Sequence, residues 1–142
     1  MAALYDDLEF RTPLEAHWAA FFDLAGWVWQ CNPAAIRDWK PDFRVKFACR
    51  HSECNGSHTL LVSIVPGADP EKLRGHHPAT RFPYGMSDDD QPIRADASAL
   101  FGSDPGATSW EMTHGAGGGP YSVPDWADNA TALWGKAAQL VR

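Results

Sequence analysis

The fold of this 142-residue chain is decided by the stretch Lys40-Pro41-Asp42-Phe43-Arg44-Val45-Lys46-Phe47. In its second half apolar and charged residues alternate, and this period of two is typical of a β-strand with one face in the core. A second run, at positions 59–65, is almost continuously apolar, as expected for a strand that is covered on both faces. Positions 49–58 would then form the loop of a hairpin that joins the two strands.

Helices are indicated on either side of these strands. Thr12 is followed by a proline and, at the third position, by Glu15, a combination that is typical of a helix start, and Gly26 fits the helix end. An apolar stripe that begins near Pro124 predicts a last helix. The sequence therefore predicts a single α/β (α+β) domain over residues 1–142, with a central mixed sheet flanked by an N-terminal and a C-terminal helix.

The composition fits a folded domain and narrows the classes of function. Seven Trp, seven Phe and a hydrophobic fraction of 44% supply a core. The formal charge of −6 argues against a general nucleic-acid binder, although it leaves room for a local basic patch. The three cysteines, the absence of a basic and apolar leader and the absence of a membrane-length apolar run predict a cytoplasmic protein without a membrane partner.

The order of these elements resembles the PD-(D/E)XK nuclease superfamily, and within it proteins of phages and mobile elements and transposon-end endonucleases. In that superfamily a helix glutamate precedes a Pro-Asp on one strand, and the next strand carries Glu-X-Lys. The resemblance covers roughly residues 10–66. It implies a restriction-endonuclease-like core and Mg²⁺-assisted phosphodiester hydrolysis, in which carboxylates hold the ion and the lysine stabilises developing charge.

The resemblance assigns site positions one by one and exposes two departures. Glu15 matches the helix acid and Asp42 matches the Pro-Asp acid. Ser63 stands where the second acid belongs, and Val65 stands where the lysine belongs. Because a serine hydroxyl is a poor substitute for a carboxylate and valine carries neither charge nor a donor, we expect a nuclease fold without catalysis. Such a protein requires no catalytic cofactor.

An active Mg²⁺-dependent endonuclease with migrated ligands is the alternative. Lys46 shares a strand face with Asp42 and would replace the missing lysine, while Glu53 or Glu71 would supply the missing acid. Both matched acids also have plain structural interpretations. Glu15 occupies the capping-box position, and the aspartate before a strand often belongs to a turn.

Basic residues gather around Asp42 despite the negative total charge. Lys40, Arg44, Lys46 and Arg50 predict a surface for nucleic acid, or else the solvated face of an edge strand. The predicted partner is a nucleic acid or a nucleic-acid-processing protein complex. A third hypothesis is an acidic interaction or inhibitor protein that engages a basic partner through the acids at positions 88–90.

A metal site is a separate hypothesis. Cys49, His51, Cys54 and His58 fall within ten residues on the expected hairpin loop, and thiolates and imidazoles are the ligands that Zn²⁺ prefers. Four protein ligands would fill the coordination sphere and leave no position for a substrate. The ion would therefore stabilise the hairpin rather than catalyse a reaction. Free thiols with exposed histidines are the alternative. The glycine-rich segment 114–119 is interpreted as a flexible turn.

Overall fold

The computed structural model describes residues 2–67, 69–85 and 94–142. The strands and helices in chain order are β1 (Ala3–Tyr5), β2 (Leu8–Phe10), α1 (Pro13–Ala25), β3 (Val28–Cys31), β4 (Phe43–Ala48), β5 (Ser57–Ile64), α2 (Pro70–Leu73), β6 (Ala97–Phe101), β7 (Thr108–His114), β8 (Gly117–Tyr121) and α3 (Ala130–Ala138). None of the helices in these described stretches has the length and the hydropathy that crossing a membrane would demand.

Six strands form one mixed sheet. Its order is β3-β4-β5-β6-β7-β8, and every neighbouring pair is antiparallel except β5 and β6, which run parallel. Strands β1 and β2 form a separate hairpin. The predicted fold class, a central mixed sheet with an N-terminal and a C-terminal helix, is confirmed.

Helix α1 forms where its cap signals place it. The Thr12 hydroxyl accepts the Glu15 N–H at 3.2 Å, and Gly26 ends the helix with a left-handed φ of 78°. Its apolar side packs on one face of the sheet together with α3. The largest fully buried side chains of this core are Trp18, Phe21, Phe22, Phe43, Phe101, Leu60 and Met112. Burying each one contributes about 1.5–3 kcal/mol, so this face dominates the stability of the fold.

The opposite face of the sheet carries a second, smaller apolar cluster. Ile36, Trp39, Leu61, Val65, Ala79, Phe82 and Leu100 form it. Helix α2 and two single helical turns, Pro78–Arg81 and Pro83–Gly85, belong to the chain segment that covers this face. Strand β5 is therefore covered on both sides, as its continuous apolar run predicts.

Three elements differ from the expectation. The segment 66–109 is rich in Pro, Gly, Asp and Ser, a composition that predicts mostly loop, but it contains the central strand β6, all five residues of which are buried. The segment 114–119 is not a plain turn, because residues from Gly117 onward pair with β7 as the edge strand β8. The last helix begins at Ala130 rather than near Pro124, because Asn129 adopts a left-handed φ of 56° and separates it from an earlier helical turn.

Candidate metal centre

Four soft donor side chains converge at one end of the sheet. Cys49 follows β4, Cys54 lies in the β4–β5 loop, His58 lies near the start of β5, and His114 is the last residue of β7. One ligand atom from each residue can be chosen so that all four lie within 4.8 Å of one another. The described part of the chain thus brings two thiols and two imidazoles to a single centre that could hold a metal ion.

Two of the distances within this cluster match those of a tetrahedral zinc site. His114 Nδ1 lies 3.6 Å from Cys49 Sγ and 3.5 Å from Cys54 Sγ. Tetrahedral Zn²⁺ with Zn–S bonds of about 2.3 Å and Zn–N bonds of about 2.0 Å places its nitrogen and sulfur ligands about 3.5 Å apart. A single imidazole nitrogen has one lone pair and cannot accept full hydrogen bonds from both thiols. A shared cation explains the arrangement better than two S–H donors do.

His58 supplies the second indication of a missing ligand. The residue is 3% exposed, yet neither ring nitrogen has a hydrogen-bond partner among the described residues. Leaving a buried polar group unpaired costs about 1–3 kcal/mol, and coordination of one nitrogen would remove that cost. Burial also lowers the pKa of His58, although Asp96 acts in the opposite direction. The neutral imidazole, which is the form that binds metals, is therefore favoured.

The surroundings of the cluster suit a closed site. The rings of His58 and His114 lie 5.2 Å and 5.1 Å from the indole of Trp126, which also packs against Phe47. Burial raises the pKa of the Cys49 thiol, so without a cation this sulfur stays protonated. A bound metal would hold it as the thiolate.

The turn after β7 is shaped around Cys54. The Gly115 N–H donates to Cys54 Sγ at 3.3 Å, and Gly115 has a left-handed φ of 63°. A Cβ at this position would lie 2.4 Å from the ring of His51. Glycine therefore suits the left-handed backbone conformation, and a side chain at this position would have to displace the exposed ring of His51.

The ligand set overlaps the one proposed from the sequence and differs from it at one position. Cys49, Cys54 and His58 are in the cluster, but His51 is exposed and its Nδ1 accepts the Glu53 N–H at 3.1 Å. His114 completes the set instead. Sequence spacing could not find it because it lies on β7. The available signal was a histidine directly before a glycine-rich turn.

At the opposite end of β4 and β5 the structure brings Glu15 and Asp42 together. Both line a cavity of about 80 Å³, and the guanidinium of Arg11 lies between them. Arg11 pairs with Glu15 at 3.1 Å and contacts Asp42 Oδ1 directly, while Asp42 Oδ2 accepts the Ile64 N–H at 2.7 Å. Burial acts to lower the pKa of Arg11, but the two carboxylates outweigh it and raise that pKa. The two carboxylates are thus already paired with the guanidinium of Arg11, in the place where a metal ion would bind.

The other positions of the nuclease pattern lie elsewhere. Ser63 and Val65 belong to the opposite face of the sheet, where the Ser63 hydroxyl accepts the Trp39 indole N–H at 2.8 Å and Val65 is packed in the second apolar cluster. Lys46 is exposed on β4, four residues or about 13 Å along the strand from Asp42, and does not line the cavity.

The two acids proposed as migrating ligands are also outside this cavity. Glu71 accepts from Arg74 at 3.4 Å and from Ser109 at 3.1 Å. Glu53 lines a different cavity, beside Cys54. The hypothesis of an acidic inhibitor rests on residues 88–90, which lie outside the described residues.

The predicted basic residues follow one strand. Lys40 and Arg50 flank β4 and are exposed, and Arg44 and Lys46 lie within it on the face away from α1 and α3. Arg44 donates to the carbonyl of Arg94 at 3.0 Å, which brings another basic residue close to it. These residues form a line along the outer side of the sheet.

Comparisons with protein-family models, with curated proteins and with solved structures return no match for this chain. The residues described above must therefore carry any statement about function.

Proposed function

We propose that this chain is a zinc-stabilised binding domain without catalytic activity, and that the outer side of β4 holds a nucleic acid. The observation that carries the proposal is the convergence of Cys49, Cys54, His58 and His114 on one centre. Two thiolates and two imidazoles select Zn²⁺ over Mg²⁺, which prefers oxygen ligands. Four protein ligands leave no open position for a substrate, so the ion has a structural role.

The residues at the other end of β4 and β5 support the absence of catalysis. Arg11 forms ion pairs with both Glu15 and Asp42, and Asp42 also accepts the Ile64 N–H at the end of β5. A divalent ion would have to displace this guanidinium. Among the described residues that line the cavity between the two acids there is no lysine, and the guanidinium of Arg11 is already bound by both carboxylates. These features support a domain without nuclease activity.

The nucleic-acid partner is supported by the local charge. Positions 37–50 hold five of the twelve Lys and Arg residues of the chain and only two acids. On the neighbouring strand β3, the residues that pair with Arg44 and Lys46 are Gln30 and Val28, which add no negative charge. The row of basic side chains along β4 therefore forms a local positive patch on an acidic protein, and phosphate binding requires such a patch.

Zinc binding is tested by metal analysis of the purified chain and by titration in competition with a chromogenic chelator. We expect one Zn²⁺ per chain, and no comparable affinity for Mg²⁺. A chain that takes up no zinc would contradict the proposal.

Nucleic-acid binding is tested by fluorescence anisotropy with single- and double-stranded DNA and RNA oligonucleotides at several salt concentrations. Lys46→Glu should weaken binding and reduce the salt slope by about 1, since each phosphate contact releases counterions. Lys136→Glu, the same charge change on α3, is the matched control and should have little effect. Equal effects of the two variants would remove the assignment to β4, and a wild-type chain that binds none of the oligonucleotides would favour a protein partner.

The active endonuclease remains the second candidate, because Glu15 and Asp42 do lie together. A plasmid-cleavage assay with Mg²⁺ or Mn²⁺ separates the two. We expect no cleavage by the wild-type chain. Cleavage that EDTA inhibits and Asp42→Ala abolishes would establish the enzyme instead.

A further inference from the structure

Strand β6 is too short to separate β5 from β7 along their whole length. Ala97, its first residue, pairs with Leu60 on one side, and Ala99 pairs with Trp110 on the other. Extending the first register by two residues and the second by four would place position 95 between His58 and His114. Because β6 begins only at Ala97, the two histidines face each other across a gap in the sheet.

Asp96 borders this gap. It is the residue directly before β6, and its backbone N–H donates to the Thr59 carbonyl at 2.8 Å. Its carboxylate accepts the Thr59 N–H at 2.6 Å, so both the backbone and the side chain are fixed to β5. The same oxygen, Oδ2, lies 3.7 Å from Nδ1 of His58. A small rotation of the ring would turn this approach into a hydrogen bond.

Resting on the proposed zinc function, we propose that Asp96 is the positioning residue of the metal centre. It holds His58 through Nδ1–H, and Nε2 of the same ring then binds the ion. A histidine ligand that donates its other N–H to a carboxylate is fixed in one tautomer and one orientation, and becomes a stronger ligand. The zinc ion, with His58 and His114, would then link β5 to β7 where β6 is absent.

The test compares Asp96→Ala and Asp96→Asn with the wild-type chain. Zinc affinity is measured by chelator competition, and we expect a loss of about 10–100-fold for alanine. We expect a smaller loss for asparagine, whose amide oxygen still accepts a hydrogen bond. Asp104→Asn is the matched control, because Asp104 also caps a turn, accepting from Gly106 at 2.7 Å, but lies outside the cluster.

A purely structural role of Asp96 would also weaken folding, so a second readout is needed. Long-range ¹H–¹⁵N correlation spectra of the zinc-bound wild-type protein report which nitrogen of His58 carries the proton. We expect protonated Nδ1 and metal-bound Nε2. Coordination through Nδ1, or unchanged zinc affinity in Asp96→Ala, would overturn the role of Asp96 while leaving the zinc site intact. A wild-type chain that binds no zinc would overturn the site itself and this role with it.

Discussion

Cys49, Cys54, His58 and His114 lie at one end of strands β4 and β5, and Arg11, Glu15 and Asp42 lie at the other. At the first end, neutral donors converge, and buried His58 has no hydrogen-bond partner in the part of the chain that the structure describes. At the second end, both carboxylates are already paired with an arginine. The first end thus keeps hydrogen-bonding capacity that a metal could satisfy, whereas at the second end an arginine already lies between the carboxylates.

The largest expected effect is the loss of the zinc centre. Cys54→Ser should weaken zinc binding by more than about 100-fold, since even the outer partners of a metal ligand are worth about 10–100-fold. Zinc at 1,000 times its dissociation constant should stabilise the wild-type chain by about 4 kcal/mol, and the variant should lose this gain. Thermal unfolding with and without zinc measures both.

Cys31→Ser is the matched control for that experiment. Cys31 lines the cavity of Glu15 and Asp42 at the opposite end and is a free thiol. Its substitution should leave the zinc-dependent stabilisation unchanged. A Cys54→Ser protein that zinc stabilises as strongly as the wild type would contradict the assignment of the ligands.

Local signals in the sequence were sufficient for much of the fold. The cap at Thr12 and the alternation from Phe43 to Phe47 depend on neighbouring residues, and the structure has the helix and the strand at these places. Strand β6 could not be found in the same way. Its sequence, Ala97–Phe101, is short and follows a polar stretch, and only the neighbours β5 and β7 make it a strand.

The residues of the two candidate sites also divide into those that local sequence signals indicate and those that only the fold brings together. Cys49, Cys54 and His58 lie close together in sequence, so ligand type alone selected them. His114 and Arg11 come from distant parts of the chain and meet the sites only through sheet pairing and helix packing. Nothing in the spacing of Asp42 indicates that an arginine rather than a metal neutralises it.

A second prediction concerns an attempt to rebuild the nuclease pattern. Val65→Lys would place an ammonium group in the second apolar cluster, where Val65 is 8% exposed. An uncompensated buried charge should destabilise the fold by about 3–5 kcal/mol. Val28→Lys is the matched control, because Val28 is 69% exposed on β3 and should change stability by less than about 0.5 kcal/mol. Urea unfolding measures both, and a stable Val65→Lys protein that gains Mg²⁺-dependent cleavage would contradict the account.

A third prediction concerns the removal of the Arg11 side chain from between Glu15 and Asp42. Arg11→Ala should cost about 1 kcal/mol, since the arginine side chain is 60% exposed and its ion pairs are partly screened. The uncovered Glu15 and Asp42 should then bind Mn²⁺ weakly, as electron paramagnetic resonance can detect, and Glu15→Gln in the same chain should abolish that binding. Arg81→Ala, which breaks the surface pair with Asp38, is the control. Equal Mn²⁺ binding by the wild-type chain would show that Arg11 does not block the site.

The smallest expected effect is a loss of folding stability at low pH that depends on His77. Burial lowers the pKa of His77 below its ordinary value of 6.5, although Asp42 opposes this, and His77 Nδ1 accepts the Ala79 N–H at 3.0 Å. The unfolded chain therefore takes up a proton first, and stability should fall as the pH drops below about 6.5. His77→Asn keeps an acceptor but does not titrate. In metal-free protein, its stability should fall less between pH 7.5 and 5.5 than that of the wild type, and an equal fall would exclude this role.

The most direct examination of the contrast between the two ends is anomalous diffraction from crystals grown with Zn²⁺ and, separately, with Mn²⁺. We predict a zinc peak equidistant from the sulfurs of Cys49 and Cys54 and bonded to His58 and His114, with no peak for either metal between Glu15 and Asp42. A peak between the two carboxylates, or an empty position among the four soft donors in crystals that contain zinc, would contradict the account.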